Sequence, residues 1–593
     1  MAEMRRKKHS SALNYRRKDR WKVWKTLIQI LILIVLVWLI VQALFHFKSY
    51  EEPDRSMWTN DQGFVALTYF GVGRTGTPKH VARAELDQQL QALYDQGYQS
   101  ISQEDILQFY ADGSPLPEKA LFLAFEDGRN DSVLYSQRLL EKYNYKATVL
   151  TYADKMGDNR HRKFIQPRDI KRIVKTGYWE TGSNGYRLAY INIFDDEGNH
   201  VSNYLDENEA DKTSMAYYNH YLMDFIRDEQ MIPIENRTEM EERITADYLA
   251  MENVYNRTLG YVPDLYMIMH ANAMYRGMNR LVSNINSEHT ERIFKLHFNR
   301  EGSAYNTNEE NIYDLTRAQV APYWHTNHLL MKLQKDTGQS MDFVLGDEEQ
   351  AGKWEQLQGT TEFKDDTIIL TSPPAEAGQL YLKSSAELTD SRISVKLLGN
   401  VVGQQTIYLR YDREQDSFIR ILLENNEIRI EEKGAGQEEA KELFTTTLDE
   451  VLWKEEDLAF DKASVYTLDQ ATSGTASEEE EYPSNIQNTR ELEVVVLGNS
   501  LSLSVDEQKL VDQLEIDQAV ASGGVMLEAM YHPQNEKDDI YDGVFLDLII
   551  KSLEAGEEQE VTIFTNKPTS LQEVIRTIKN FVNRTIDWVI DVF

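Results

Sequence analysis

A chain of 593 residues is too long for one compact core, and 41% hydrophobic with 10% aromatic residues excludes wholesale disorder. The absence of cysteine excludes disulfides, thiolate metal sites and a cysteine nucleophile, and suits the outer surface of a Gram-positive bacterium, where disulfide formation is not routine. Residues 1–25 hold ten Lys/Arg against Glu3 and Asp19, about +8, so the remainder carries about −42 of the net −34 and repels nucleic acid.

In chain order, that basic tail (1–25) runs into TLIQILILIVLVWLIVQALFHF, residues 26–47, without a formal charge. Its length predicts a transmembrane helix, and with no small-residue cleavage site it reads as an uncleaved, single-pass anchor. The positive flank predicts a cytoplasmic N-terminus and an extracytoplasmic body. Residues 48–62 read as a polar linker. From 63 to about 340, strands alternate with helices. FVALTYF (64–70) is a strand, and ARAELDQQLQALYDQG (82–97), with Leu86, Leu90 and Leu93 on one face, is a helix. YQSIS and EDILQFY, ALFLAF (120–125) and SVLYSQRLLEKYN, then YKATVLTY (145–152) repeat the pattern. Such alternation predicts a mainly parallel α/β sheet with chemistry at the C-terminal strand ends, where Glu126 and Asp127 lie.

After residue 350 about ten short runs, among them TIILTSP, SRISVKLLG and QTIYLRYD, alternate apolar and polar residues between turns. They predict an antiparallel β-sandwich over 350–565, interrupted by a solvated loop at 471–484. Leu571, Ile575, Ile578, Val582, Ile586 and Val589 predict an amphipathic C-terminal helix over 569–593. Its mixed charges suit packing on protein better than lying on a bilayer. DDEG (195–198) reads as a hairpin turn.

The ordered segments ALTYFGV, GYQSIS, LPEKALFLAFEDG, YKATVLTY and PRDIKRIVKTGYWETGSN together resemble the polysaccharide deacetylase family, over residues 63–340. The resemblance implies a distorted (β/α) barrel that removes N- or O-acetyl groups from glycans with a divalent, zinc-like metal. In the family a paired Asp-Asp-Gly supplies a general base and a metal ligand, and two histidines about four residues apart complete the metal site. Here Glu126 stands at the base position, Asp127 at the metal-ligand position, and Gly128 matches the glycine. Trp179, Glu180, Gly182 and Ser183 match the approach to the histidines, whose positions hold Asn184 and Leu188. His270 falls near the proline of a later substrate motif, and Arg317 matches an arginine of some members. The family's last histidine is not placed, although His325 and His328 lie close by. The C-terminal segments SFIRILLENNEIRIEE, LEVVVLGNSLSLSVD, GGVMLEA and YDGVFLDL resemble concanavalin-like jelly rolls, many of which bind glycans.

One carboxylate and a neutral amide hold a divalent cation far more weakly than two imidazoles and a carboxylate. Without the metal neither water nor acyl carbonyl is polarised, and Glu126 alone is a feeble catalyst. Unmetallated, one of the two acids is expected to meet a cation such as Arg129 or to face water. A glycan groove could still form from Tyr178, Trp179, Tyr186, Glu180, Asn184 and His270, although Trp179 suits the core better. No Walker loop, His-Glu-x-x-His or Gly-x-Ser-x-Gly is present, and a glycosidase pair of Glu126 with Glu180 has no fixed separation. The favoured reading is an anchored, extracytoplasmic glycan-binding or scaffolding component of exopolysaccharide or cell-envelope glycan synthesis. It needs no cofactor, and its expected partners are polysaccharide, membrane and a polysaccharide synthase complex. The alternative is a divergent but active metal-dependent deacetylase that recruits Asn184 with His270 or His325.

Overall fold

The structure, a computed structural model, describes residues 22–31, 33, 34, 49–77, 79–157, 163–195, 197–206, 215, 217–269, 278–399, 403–424, 426–448, 489–531, 538–553 and 560–567. Residues 22–31, 33 and 34 are helical and belong to a unit, Met1–Ser49, separate from Tyr50–Phe593. Among the described residues no helix is long and apolar enough to cross a membrane. Most of the span expected at 26–47 lies outside the described residues, as does the helix expected at 569–593.

The apolar runs of the N-terminal half form seven parallel strands: β1 (Gly63–Tyr69), β2 (Ala120–Phe125), β3 (Ala147–Tyr152), β4 (Trp179–Gly185), β5 (Leu265–Met267), β6 (Leu296–Glu301) and β7 (Leu315–Gln319). Each pairs with the next, and β7 returns to β1, with Leu67 opposite Ala318 on one side of β1 and Leu123 on the other. The sheet therefore closes into a barrel. Strand alternation sends Phe64, Ala66, Phe122, Ala124, Met267, Phe298 and Leu315 into its interior, where the rings of Phe122 and Phe298 stack at 5.0 Å. Val65, Leu67, Leu121, Leu123 and Phe125 point outward into a second core shared with the surrounding helices. Leu86, Leu90 and Leu93 of helix Arg83–Asp95 join that outer core at the expected spacing. Helix Gln103–Asp112, started by a capping box of Ser102 and Asp105, inserts Ile106 and Phe109 beneath the barrel. Phe109 meets Phe64 edge-on at 6.4 Å, so the N-terminal end is plugged and the C-terminal end remains as the mouth.

Between β4 and β5 an inserted antiparallel sheet runs Tyr217–His220, Ala189–Phe194, His200–Asp206. The turn expected at 195–198 joins its last two strands, with Asp195 N–H donating to the Asn199 carbonyl at 3.0 Å. Beyond residue 353 lie a seven-stranded and an eight-stranded antiparallel sheet, more strands than the ten runs foreseen. Ile407 and Leu409 of one share a core with Ile393, Val395 and Leu397 of the other, which makes the pair a sandwich.

Barrel and sandwich meet at a buried charge cluster. His328, on helix Thr326–Thr337, is 0% exposed and places Nε2 2.9 Å from Asp538 Oδ2 and Nδ1 3.2 Å from Asp542 Oδ2. Trp324 Nε1 donates to Asp538 at 2.7 Å and its ring stacks on His328 at 4.7 Å. Thr371 Oγ1 donates to Asp542 at 2.6 Å, as does the His325 N–H at 2.9 Å. The His325 ring faces Glu85 at 3.8 Å. Both residues thus serve the domain junction. With a carboxylate at each nitrogen, His328 holds both protons, and despite burial its pKa is pushed up to about 10 by Asp538 and Asp542. Because the folded pKa is raised from 6.5, its contribution to stability is complete below that pH and is lost as pH rises through about 10. His328→Leu, which strands two buried carboxylates, is expected to cost about 3–5 kcal/mol in urea unfolding and to abolish this alkaline loss of stability.

Candidate functional site

Inward alternation along β2 runs Phe122, Ala124 and then Glu126, so a carboxylate arrives at the mouth already enclosed, 0% exposed. β7 delivers Leu315, Arg317 and Gln319 in the same phase, and β1 alone separates the two strands. Arg317 is 1% exposed. Its Nε donates to Glu126 Oε1 at 3.3 Å, and Nη2 donates to the Ile268 carbonyl at 3.2 Å and lies 3.7 Å from Glu301. Gln319 Nε2 donates to Glu126 Oε2. Burial pushes the Glu126 carboxyl above the usual carboxylate range, and Arg317 is the strongest influence pulling it back.

The neighbouring acid turns away through the backbone. Asp127 has φ +62° and Gly128 φ +60°, two successive left-handed residues. Aspartate tolerates that region, whereas a Cβ at position 128 would stand 3.0 Å from the Leu150 carbonyl oxygen, so only glycine fits. The Asp127 N–H donates to Asn184 Oδ1 at 3.1 Å, and Asn184 Nδ2 donates to the Met267 carbonyl at 2.9 Å. Asn184 thus ties the ends of β2, β4 and β5 together. Leu188, at the second histidine position, is buried among Tyr152, Tyr190, Ile193, Met215 and Tyr218. The metal positions therefore supply one carboxylate, one neutral amide engaged on both sides, and one apolar side chain. That set does not fit a tightly held zinc-like cation.

Several expected groupings are not formed. Arg129 is not the cation that meets the paired acids: it binds Asp131 through Nε at 3.1 Å and Nη2 at 2.9 Å, two residues along its own chain, while Arg317 answers Glu126 from the far side of β1. Trp179 is not in a groove. It is 1% exposed on the outer side of β4, packed 5.4 Å from Phe125, with Nε1 donating to Gln137 at 2.6 Å. Tyr178 is buried beside Tyr50. Glu180 sits near the start of β4, where Oε2 accepts the Gln103 N–H at 2.9 Å at the plugged end of the barrel, and burial lifts it to about 7. It does not pair with Glu126. His270 lies outside the described residues. Gln319 carried no signal in the sequence beyond sharing the inward phase of Arg317.

A double-mutant cycle checks the buried pair. Arg317→Met leaves Glu126 enclosed without its cation and is expected to cost about 3–5 kcal/mol, whereas adding Glu126→Met should recover most of that loss in urea unfolding.

No family model matches the chain. The Bacillus subtilis (strain 168) protein YxkH, whose name assigns it to the polysaccharide deacetylases, is 25% identical over 130 residues, 21% of this chain and 45% of that relative, so less than half of its length is spanned. Among solved structures, a de-N-acetylase from Aggregatibacter actinomycetemcomitans aligns with 44% of this chain and 94% of its own at 16% identity and TM-score 0.33. The BpsB deacetylase domain from Bordetella bronchiseptica aligns with 46% of this chain and 98% of its own, also at 16% identity and TM-score 0.33. Over those 130 residues the chain is similar to a polysaccharide deacetylase, and its N-terminal half closes into a barrel of seven parallel strands.

Proposed function

We propose that this deacetylase-like protein holds glycan without hydrolysing it, as a membrane-anchored, extracytoplasmic binding or scaffolding component of exopolysaccharide or cell-envelope glycan synthesis. The observation that carries the reading is the buried Glu126–Arg317 pair with Gln319. A general base must reach the proton it removes. Both oxygens of Glu126 are instead engaged by donors inside the barrel, and the remaining metal positions offer only Asp127 with an engaged amide. Nothing among these residues polarises a carbonyl, which is the effect such hydrolysis depends on. The barrel mouth bears the partly exposed Tyr186 and Gln319, an aromatic and a polar group of kinds that suit retention of a sugar chain. Residues 26–47 would anchor the protein with its basic tail in the cytoplasm, beside a polysaccharide synthase.

The test loads the full-length chain with zinc, cobalt or manganese, dialyses it, and measures bound metal, acetate release from acetylated oligosaccharides and oligosaccharide binding. The expected result is saturable binding with neither retained ion nor acetate. About one ion per chain with acetate release, both lost in Asp127→Ala, would overturn the reading in favour of an active divergent deacetylase.

A further inference from the structure

Beside the mouth lies a second cluster whose chemistry the Glu126 centre does not use. Two residues past the end of β4, the Arg187 guanidinium stands over three tyrosine rings, 5.5 Å from Tyr186, 5.7 Å from Tyr204 and 5.2 Å from Tyr221. The rings come from the turn after β4, the inserted strand His200–Asp206 and the residue following Tyr217–His220. Arg187 and all three tyrosines are half-buried, and Tyr204 meets Tyr221 edge-on at 5.5 Å. Behind them Asp247, on helix Arg237–Thr258, stands 3.6 Å from Arg187 Nε, beyond hydrogen-bond distance. Among the described residues neither Arg187 Nε nor Asp247 Oδ1 has a hydrogen-bond partner. Burial raises Asp247 to about 7, with Arg187 and Arg243 pulling it back.

A half-buried guanidinium with an unbonded Nε, framed by aromatic faces, suits a particular ligand. Its planar fork matches a carboxylate bidentately, and half-exposed tyrosines offer flat apolar surface to the C–H face of a pyranose ring. We propose that Arg187, Tyr186, Tyr204 and Tyr221 form a subsite for a carboxylate-bearing sugar residue of the bound glycan. The subsite rests on the glycan-binding reading above and deepens it, since Arg187 lies three residues beyond Asn184 and a chain crossing the mouth can reach it. The net charge of −34 opposes an acidic ligand at a distance, but salt screens exposed charges beyond about 8 Å at physiological ionic strength, whereas the Arg187 contact is local.

The test titrates the full-length chain with tetragalacturonate and with its methyl ester, which differ only in whether the carboxylates are free. Wild type is expected to bind the free acid about tenfold more tightly, from one charge-assisted contact. Arg187→Met should bind both forms equally, and Tyr204→Ala should weaken both, with thermal melts showing that each variant is folded. Equal affinity of wild type for the two probes, a readout that needs no variant, overturns the subsite, as does a preference that Arg187→Met retains. If wild type binds N-acetylchitotetraose but neither uronate probe, the subsite falls and the glycan-binding reading stands. If it binds none of the three, both fall.

Discussion

A guanidinium enclosed at the mouth of a closed barrel has to be answered by a carboxylate, because several kcal/mol of lost hydration are otherwise uncompensated. Arg317 on β7 and Glu126 at the end of β2 meet this requirement only because β1 pairs with both strands and brings their inward phases to the same height. Closure and the ion pair depend on each other. Opening the sheet would separate the charges, and removing one charge would leave its partner stranded in the core. The same constraint engages both oxygens of Glu126 with donors inside the fold.

The domain junction follows the same rule with different residues. His328 could have been read from its position as a late catalytic histidine, yet it is an imidazolium held between Asp538 and Asp542 of the sandwich. Charged groups at the end of β2 and on helix Thr326–Thr337 therefore act in architecture, one pair closing the barrel and the other fastening it to the sandwich. Arg187, at the rim, is exposed in part among tyrosines and stands 3.6 Å from Asp247.

Much of the framework was legible in the order of residues. Continuous apolar runs such as ALFLAF, buried on both faces, and helical spacing such as Leu86, Leu90 and Leu93 state locally what is buried. The glycine after the paired acids was legible as the family's glycine, and the structure shows why it is there, at φ +60°. The partners of charged residues were not. Arg129, adjacent in sequence to the acids, binds Asp131, while Glu126 is met by a residue 191 positions away. Trp179 and Glu180 are neighbours in one motif, yet one faces the helices outside the barrel and the other joins the plugged end.

By itself the sequence determined the two architectures and the residues at the two histidine positions, because these depend on local periodicity and residue identity. Only the tertiary structure decided that Arg317 neutralises Glu126, that Asn184 ties three strand ends, and that His328 belongs to the domain junction. Those contacts require strands and helices far apart in the chain to reach the same place, and pairing across a closed sheet leaves no trace in local order. The physical reason is the same in each case: a buried charge takes its partner from whatever the fold sets beside it.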